Sequence, residues 1–383
     1  MSSAAEITPL YSQAGTPRAI DLPPGVPRLG SLYLYIAGAC NLACRHCWIT
    51  PSFLKYGRTQ AIEGDGNFIS LELLKKAIDQ GKELGLYTVK LTGGEPTLHP
   101  RFREIVELVY NEGLSIAMET NGTLVDDEMA SFLKQGPMNF ISVSLDGATR
   151  ETHEYMRLVD GSYNDALRGI KALVKAGFPV QMICTLHRGN VGEIAPLIEL
   201  AEGLGCGSVK FNHVQRVGRG ERFGEENGLE LEEILALHRR IVDEIQPKHQ
   251  MRIVLDVPFA FYTLEELWRD HKHQCSIRNI LGVLGNGQLA LCGIGVTIPD
   301  LIYGNLATDN LRDVWCYHPG LVKLRELIPN HLEGICKQCL HRPVCRGHCV
   351  ANTYHVTQQL NAPHQFCKHA DEMGLFPASR KIF

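Results

Sequence analysis

The chain has 383 residues, and its 38 Lys and Arg against 42 Asp and Glu give a net charge of −4. That length suffices for two or three domains, and without a basic excess the chain is a poor binder of phosphate backbones, so no nucleic-acid partner is expected. Its 13 cysteines are about 3 % of the residues, too sparse for a disulfide scaffold. The opening MSSAAEITPLYSQAG has no basic or apolar run, and no apolar stretch approaches the roughly 18 residues of a membrane span, so neither secretion nor a membrane is expected. The reducing cytoplasm is the expected compartment.

Residues 1–30, with three prolines between Leu22 and Pro27, read as an extended lead-in. From Leu32 to about Asn212 short apolar runs alternate with helical patterns, the signature of βα units around a parallel sheet. The strand candidates are Leu32 to Ala37, Thr88 to Thr92, Ser115 to Glu119, Phe140 to Leu145, Val180 to Thr185 and Ser208 to Phe211. Between the fourth and fifth, Tyr163, Ala166, Leu167, Ile170, Leu173 and Val174 mark one face of a helix that Gly177 stops. Leu71 to Leu84, Phe102 to Tyr110 and Ile194 to Leu204 read likewise.

Six such units suit an incomplete barrel or an open doubly wound sheet, and in both the reactive loops lie at the carboxyl ends of the strands. A glycine- and charge-rich stretch, Arg216 to Gly228, breaks the alternation before a helical pattern from Leu229 to Ile245. The expected division is a lead-in over 1–30, a core over 31–260 and a tail over 261–383. Beyond Cys275 the texture turns to Cys, His, Gly and Pro, too poor in apolar runs for an independent core, so something other than hydrophobic burial is expected to organise it.

Cys40, Cys44 and Cys47 form a C-x3-C-x2-C loop directly after the first strand candidate. Three thiolates on one tight loop can hold three corners of an iron–sulfur cube and leave the fourth iron open to a ligand. The alternative is structural zinc, which needs four closed ligands and has only His46 and His99 nearby in sequence. Gly93, Gly94, Glu95 and Pro96 follow the second strand, where glycines admit close backbone approach and a carboxylate can meet an ammonium group. Thr120, Asn121 and Gly122 end the third strand, and Ser142 to Gly147 end the fourth, with Ser144 among them and Arg157 further on. Each is an ordinary turn taken singly; their shared place at successive strand ends is the signal.

The tail carries Cys275 and Cys292, then Cys336, Cys339, Cys345 and Cys349 in a C-x2-C-x5-C-x3-C run, then Cys367. C-x2-C pairs alone also suit a zinc ribbon. Cys184, in a strand candidate, is expected to be a small buried hydrophobe, the sharper reading being a hydrogen-atom donor or radical-site residue; Cys206 and Cys316 are expected to be structural, Cys316 within one helical pattern from Leu311 to Leu327. His355, His364 and His369 read as packed or solvated.

The cysteine loop with the GGEP and TNG turns resembles the radical S-adenosylmethionine (SAM) enzymes over roughly residues 31–215, and the tail resembles the SPASM extension of such enzymes. The resemblance implies a partial (β/α)6 barrel followed by a small cysteine-rich domain. It implies a [4Fe–4S] cluster on Cys40, Cys44 and Cys47 whose open iron is chelated by S-adenosyl-L-methionine. It puts the methionyl ammonium at the turn of Gly93, Gly94, Glu95 and Pro96, Thr120, Asn121 and Ser144 near the ribose or carboxylate, and Arg157 near the carboxylate. Position 46, often aromatic in the family, is His46.

Two auxiliary clusters are implied as well. Cys336, Cys339, Cys345 and Cys367 would hold one completely, while Cys275, Cys292 and Cys349 would leave the other one ligand short; an open iron, a nearby Asn or His, and a [2Fe–2S] cluster are the open readings. The resemblance implies a radical enzyme modifying a ribosomally made peptide or protein side chain by crosslinking, epimerisation or oxidation, with no obligatory side-chain acid or base for hydrogen abstraction. Sulfatase-activating relatives carry an aspartate after the second SPASM cysteine; Gly293 stands there, so formylglycine formation is disfavoured. The alternatives are a small-molecule radical enzyme of cofactor, haem or antibiotic synthesis and, from another class, a non-catalytic iron–sulfur carrier or zinc module. The implied partners are the peptide or small-molecule substrate and a low-potential electron donor such as flavodoxin or ferredoxin. With only residues 1–30 ahead of the first strand, leader recognition is expected from a separate protein or not at all.

Overall fold

The computed structural model describes residues 20–53, 68–270, 275–293 and 297–382. Most of the lead-in, residues 1–19, lies outside them. All six strand candidates are strands: β1 Ser31–Ala37, β2 Thr88–Gly93, β3 Ser115–Thr120, β4 Met138–Ser144, β5 Gln181–Leu186 and β6 Ser208–His213. A seventh, β7 Arg252–Leu255, pairs in parallel with β6. The intervening helices are α1 Leu71–Glu83, α2 Phe102–Asn111, α3 Asp127–Gln135, α4 Arg150–Arg157, α5 Ser162–Lys175 and α6 Ile194–Leu204.

Strands β1 to β7 neighbour one another in sequence order. A doubly wound sheet reverses order at a switch point, so this order means continuous winding in one sense, an arc of a barrel. The arc is not closed. Its β1 edge is extended by β8 Ile280–Val283, parallel to β1, and then by β9 Gln288–Ala290 and β10 Ile302–Asn305, both antiparallel.

The strands alternate faces as a pleated backbone requires. Leu32, Leu34 and Ile36 of β1, Val89 and Leu91 of β2 and Val143 of β4 are fully buried under the helices. Tyr33, Tyr35, Lys90, Glu119, Ser142, Ser144 and Lys210 alternate with these buried positions and face the concave side.

The tail is less separate than its texture suggests. Leu281, Val283, Leu289, Leu291, Leu301, Leu311 and Trp315 join the same apolar cluster as the barrel, so burial organises this region alongside whatever its cysteines bind. The pattern read as one helix over Leu311 to Leu327 is two, α7 Leu311–Tyr317 and α8 Pro319–Leu327. Pro319 has no N–H to continue the first helix, but it suits the first turn of the second. The pattern from Leu229 to Ile245 is an α-helix over Leu231–Arg240 followed by a π-helical turn over Ile241–Ile245.

Candidate functional site

The cysteine loop leaves β1 at its carboxyl end, beside the turns that follow β2 and β3. Cys40 and Cys44 are buried and Cys47 is half-buried. Leu42 N donates to Cys40 Sγ at 3.3 Å. Burial raises the pKa of both buried thiols; neighbouring Cys44 and Glu95 raise that of Cys40 further, while the Arg157 guanidinium opposes the rise at Cys44.

Backbone contacts clamp the loop on three sides. Gly94 N donates to Ala37 O at 2.7 Å and Glu95 N to Ala39 O at 2.9 Å. This approach explains the glycine pair: a Cβ on Gly93, whose φ is +130°, would lie 2.3 Å from Ala37 O, and one on Gly94 would lie 2.0 Å from Ala39 O. The pair therefore admits the cysteine loop itself. On the second side, the carboxyl end of α4 offers carbonyls without helical partners. Ala43 N donates to Arg157 O, Arg45 N to Met156 O and Arg45 Nε to Tyr155 O. On the third, Arg219 N donates to Cys47 O at 2.9 Å and Arg219 Nη1 to Ala43 O at 3.2 Å. This is the glycine-rich segment that breaks the βα alternation; a Cβ on Gly218 would lie 2.8 Å from Trp48 O.

Glu95 is fully buried, and its carboxylate is occupied by the protein. Its Oε1 accepts from Thr97 N, Thr97 Oγ1 and Thr120 Oγ1 at 3.1, 2.6 and 2.7 Å, and Oε2 accepts from Asn121 N at 2.7 Å. Burial raises its pKa, and these donors counter the rise. The side chain thus ties the second turn to the third, while half-buried Gly93 and Gly94 leave backbone within reach of a ligand. Asn121 continues the tie, donating from Nδ2 to Asn41 Oδ1 at 2.9 Å and to Cys40 Sγ at 3.9 Å. Buried Pro96 starts the short helical turn that Glu95 caps.

Arg157 is buried with its Nη1 3.4 Å from Cys44 Sγ and its Nε 2.7 Å from Asp146 Oδ2. Burial alone would raise the Asp146 pKa, but Arg157, then His46 and His153, hold it below the usual value. Asp146 also accepts from Thr185 N at 2.9 Å. The sequence marked both the motif around Asp146 and Arg157, but not that the two pair. Ser144, half-buried at the end of β4, is one pleat from Ser142, whose buried hydroxyl has no protein partner.

His99 is engaged elsewhere: Nε2 meets Ile69 O at 2.8 Å and Nδ1 accepts from Arg101 N at 3.1 Å. It is thus unavailable to complete a zinc site on the cysteine loop. The buried Nδ1 of His46 has no partner, and burial lowers that ring's pKa to about 4.

In the tail, Cys336, Cys339, Cys345 and Cys367 line one small cavity, with Pro258, Ala260 and Phe376 among its apolar walls. Among the described residues no three His, Cys, Asp or Glu converge as they would on a single metal ion; these four thiols share the lining of one cavity. Burial raises the Cys336 pKa to about 11 and that of Cys345 to about 12. Cys275, Cys292 and Cys349 come together as a second group: crowding by surrounding atoms, then the charges of the other two, raises the pKa of Cys275, although the residue is exposed at the surface, and burial, then Cys292, raises that of Cys349.

Next to Cys292, the Tyr35 hydroxyl fills the space beside Gly293, and the Tyr35 and Trp48 rings meet edge to face with centroids 6.3 Å apart. Cys184, Cys206 and Cys316 are buried in the apolar core. His364 is packed, its ring 4.8 Å from that of His348. No helix among the described residues is long and apolar enough to cross a membrane.

Residues 34–201 match the Radical SAM superfamily. The chain is similar to an "AdoMet-dependent heme synthase" of Methanosarcina barkeri, with 29 % identity covering 87 % of this chain and 94 % of the relative. It is also similar to the "Mycofactocin maturase MftC" of Mycobacterium ulcerans, with 27 % identity covering 86 % and 85 %. Among solved structures, Streptococcus suis SuiB bound to precursor peptide SuiA shares the fold with a TM-score of 0.69, 16 % identity and coverage of 90 % of this chain and 76 % of SuiB. Native anSMEcpe with bound AdoMet shares it with a TM-score of 0.67, 17 % identity and coverage of 90 % and 96 %.

Proposed function

On the premise that this chain is a radical SAM enzyme, with its radical SAM domain over residues 34–201, we propose that it uses the cysteine loop and a SPASM-type tail to modify a peptide by radical chemistry. The observation that carries the reading is the clamped loop of Cys40, Cys44 and Cys47 against the turns at Gly93–Glu95 and Thr120–Asn121. Three thiols on one loop fit a [4Fe–4S] cluster with one iron free of protein. With S-adenosyl-L-methionine bound there, such a cluster would supply one electron that breaks the sulfonium S–C5′ bond, giving methionine and a 5′-deoxyadenosyl radical able to abstract hydrogen.

The chain's own groups then have defined tasks. The backbone at Gly93 and Gly94 receives the methionyl ammonium, with Glu95 and Pro96 fixing the turn. Thr120, Asn121 and Ser144 border the ribose and carboxylate. Arg157 supplies positive charge beside Cys44 and toward the carboxylate, and the buried surroundings keep water from the reacting carbon.

The four-thiol cavity supports a complete auxiliary cluster on Cys336, Cys339, Cys345 and Cys367, and the group of Cys275, Cys292 and Cys349 supports a second. A low-potential flavodoxin or ferredoxin is the proposed electron source. The tail is assigned to residues 261–383 and the core to 31–260.

A peptide substrate is favoured by two likenesses, to a maturase and to the fold of a protein solved with its precursor peptide. The charges on the concave side agree with it. Lys90 pairs with Glu119 at 2.6 Å and Lys210 with Asp256 at 3.2 Å, so these lysines are already neutralised and ill suited to the carboxylates of a tetrapyrrole. The relatives named heme synthases favour the second reading, a small-molecule substrate. Deuterium transfer into 5′-deoxyadenosine from labelled peptides or labelled iron porphyrins separates the two. Transfer from a peptide is expected; transfer from the porphyrin alone overturns the peptide reading.

A further inference from the structure

The segment between Cys339 and Cys345 places apolar side chains in solvent immediately outside the four-thiol cavity. Leu340 is 53 % exposed and Val344 54 %, each one residue from a cavity thiol. Ile382, also exposed, lies on a stretch that pairs with the start of this segment: Ile382 N donates to Gln338 O and Leu340 N to Arg380 O. Exposed aliphatic side chains grouped in this way mark an interaction surface rather than scattered surface residues.

The charge around them has one sign. Residues 334–370 contain no Asp or Glu, in a chain whose net charge is −4. Within this stretch Lys337, Arg342 and Arg346 flank Leu340 and Val344. The nearby acids carry their own partners: Lys381 pairs with Asp371 at 2.7 Å, Lys368 with Glu372 at 3.1 Å, and Asn361 Nδ2 donates to Glu333 at 3.1 Å. Among the described residues no ion pair is recorded for Lys337, Arg342 or Arg346. An apolar centre rimmed by uncompensated cations is complementary to an acidic protein.

We infer that this surface docks an acidic one-electron carrier protein, which exchanges electrons with the cluster held by Cys336, Cys339, Cys345 and Cys367. The inference rests on the proposal that these four thiols hold a cluster. In the exchange, a reduced flavodoxin loses one electron, its flavin passing from hydroquinone to semiquinone, and the cluster gains that electron; no bond is made or broken. Leu340 and Val344 exclude water from a contact that begins one residue from Cys339 and Cys345, while Lys337 and Arg346 steer the encounter.

The test uses reconstituted full-length holoenzyme, fully reduced flavodoxin as the probe, and stopped-flow bleaching of the cluster absorption. The wild-type rate should fall as salt rises, because steering between opposite charges is screened. The pair Lys337→Glu and Arg346→Glu should slow reduction about tenfold or more at low salt and flatten the salt dependence. Leu340→Ser with Val344→Ser should slow it at every salt concentration. Dithionite, which needs no docking surface, should bleach all variants to the same extent. Reduction of both variants by flavodoxin at the wild-type rate would overturn the docking surface alone. Loss of tail-cluster iron from wild-type protein, with no dithionite-reducible signal beyond that of the Cys40 loop, would instead overturn the cluster assignment and the docking with it.

Discussion

Arg157 is shared between Asp146 and Cys44: its Nε lies 2.7 Å from the Asp146 carboxylate and its Nη1 3.4 Å from the Cys44 sulfur. Both charged side chains are buried, so each makes the other tolerable in a place where neither would be stable alone. Arg157→Met should cost about 3–5 kcal/mol, because it strands a buried carboxylate. Adding Asp146→Asn to it should recover much of that loss. Urea denaturation of the two single variants and the double variant measures the coupling, and additive losses would contradict the shared role.

His153 lies behind this pair and accepts from Asp146 N at 3.1 Å through Nδ1. Burial first, then Arg157, lowers its pKa from 6.5 to about 4. A group whose pKa is lower in the folded state is neutral there while the unfolded chain takes up the proton. Its contribution to stability is therefore complete above about pH 6.5 and is lost as pH falls toward about 4, each pH unit between the two removing about 1.4 kcal/mol. His153→Gln should flatten the decline of denaturation midpoint across that window, and an unchanged pH profile would contradict it.

Glu95 joins two turns through four donors. Glu95→Gln turns an amide N–H₂ toward one of them, leaving a donor facing a donor, which should cost about 1–3 kcal/mol. Because Glu95 N also holds Ala39 O beside the cysteine loop, the variant should also lose loop iron faster to a chelator than wild type. Wild-type rates of iron loss would contradict the tie.

A Cβ on Gly293 would lie 1.4 Å from Tyr35 Oη and 2.5 Å from Trp48 Cη2. Gly293→Ala should therefore displace both rings and destabilise the fold by at least about 1–3 kcal/mol, with a changed Trp48 fluorescence read in a Trp268→Phe, Trp315→Phe background. Unchanged emission together with unchanged stability would contradict the close packing of the two rings on Gly293.

The βα core was legible because β1 to β6 run apolar on the buried face and end in turn residues at the positions where the structure turns. Each strand candidate overlaps its strand to within two residues at either end. The four-cysteine group in the tail was legible from resemblance and is gathered around one cavity. Strands β8 to β10 were not legible, since their pairing onto β1 depends on contacts distant in sequence and their three or four residues are too short to show a period. The break at Pro319 was available as a signal, but the apolar spacing ran through it.

The roles of Arg219 and Asp146 needed the fold. Nothing local to either residue says that one reaches the carbonyls of the cysteine loop or that the other meets Arg157. The glycine pair was marked for close approach to a ligand; the structure adds that the first backbone it admits is that of Ala37 and Ala39.

The proposed function stands on Cys40, Cys44 and Cys47 holding the cluster that cleaves S-adenosyl-L-methionine. Its most direct test is 5′-deoxyadenosine release under strong reductant by anaerobically reconstituted protein, with iron counted in the same samples. Wild type should contain about twelve iron atoms per chain if all three sites hold four, and should release 5′-deoxyadenosine. The Cys40→Ala, Cys44→Ala and Cys47→Ala variants should lose about four iron atoms and all release, while keeping the tail clusters. Continued release from those variants, or none from fully iron-loaded wild type, would contradict the account.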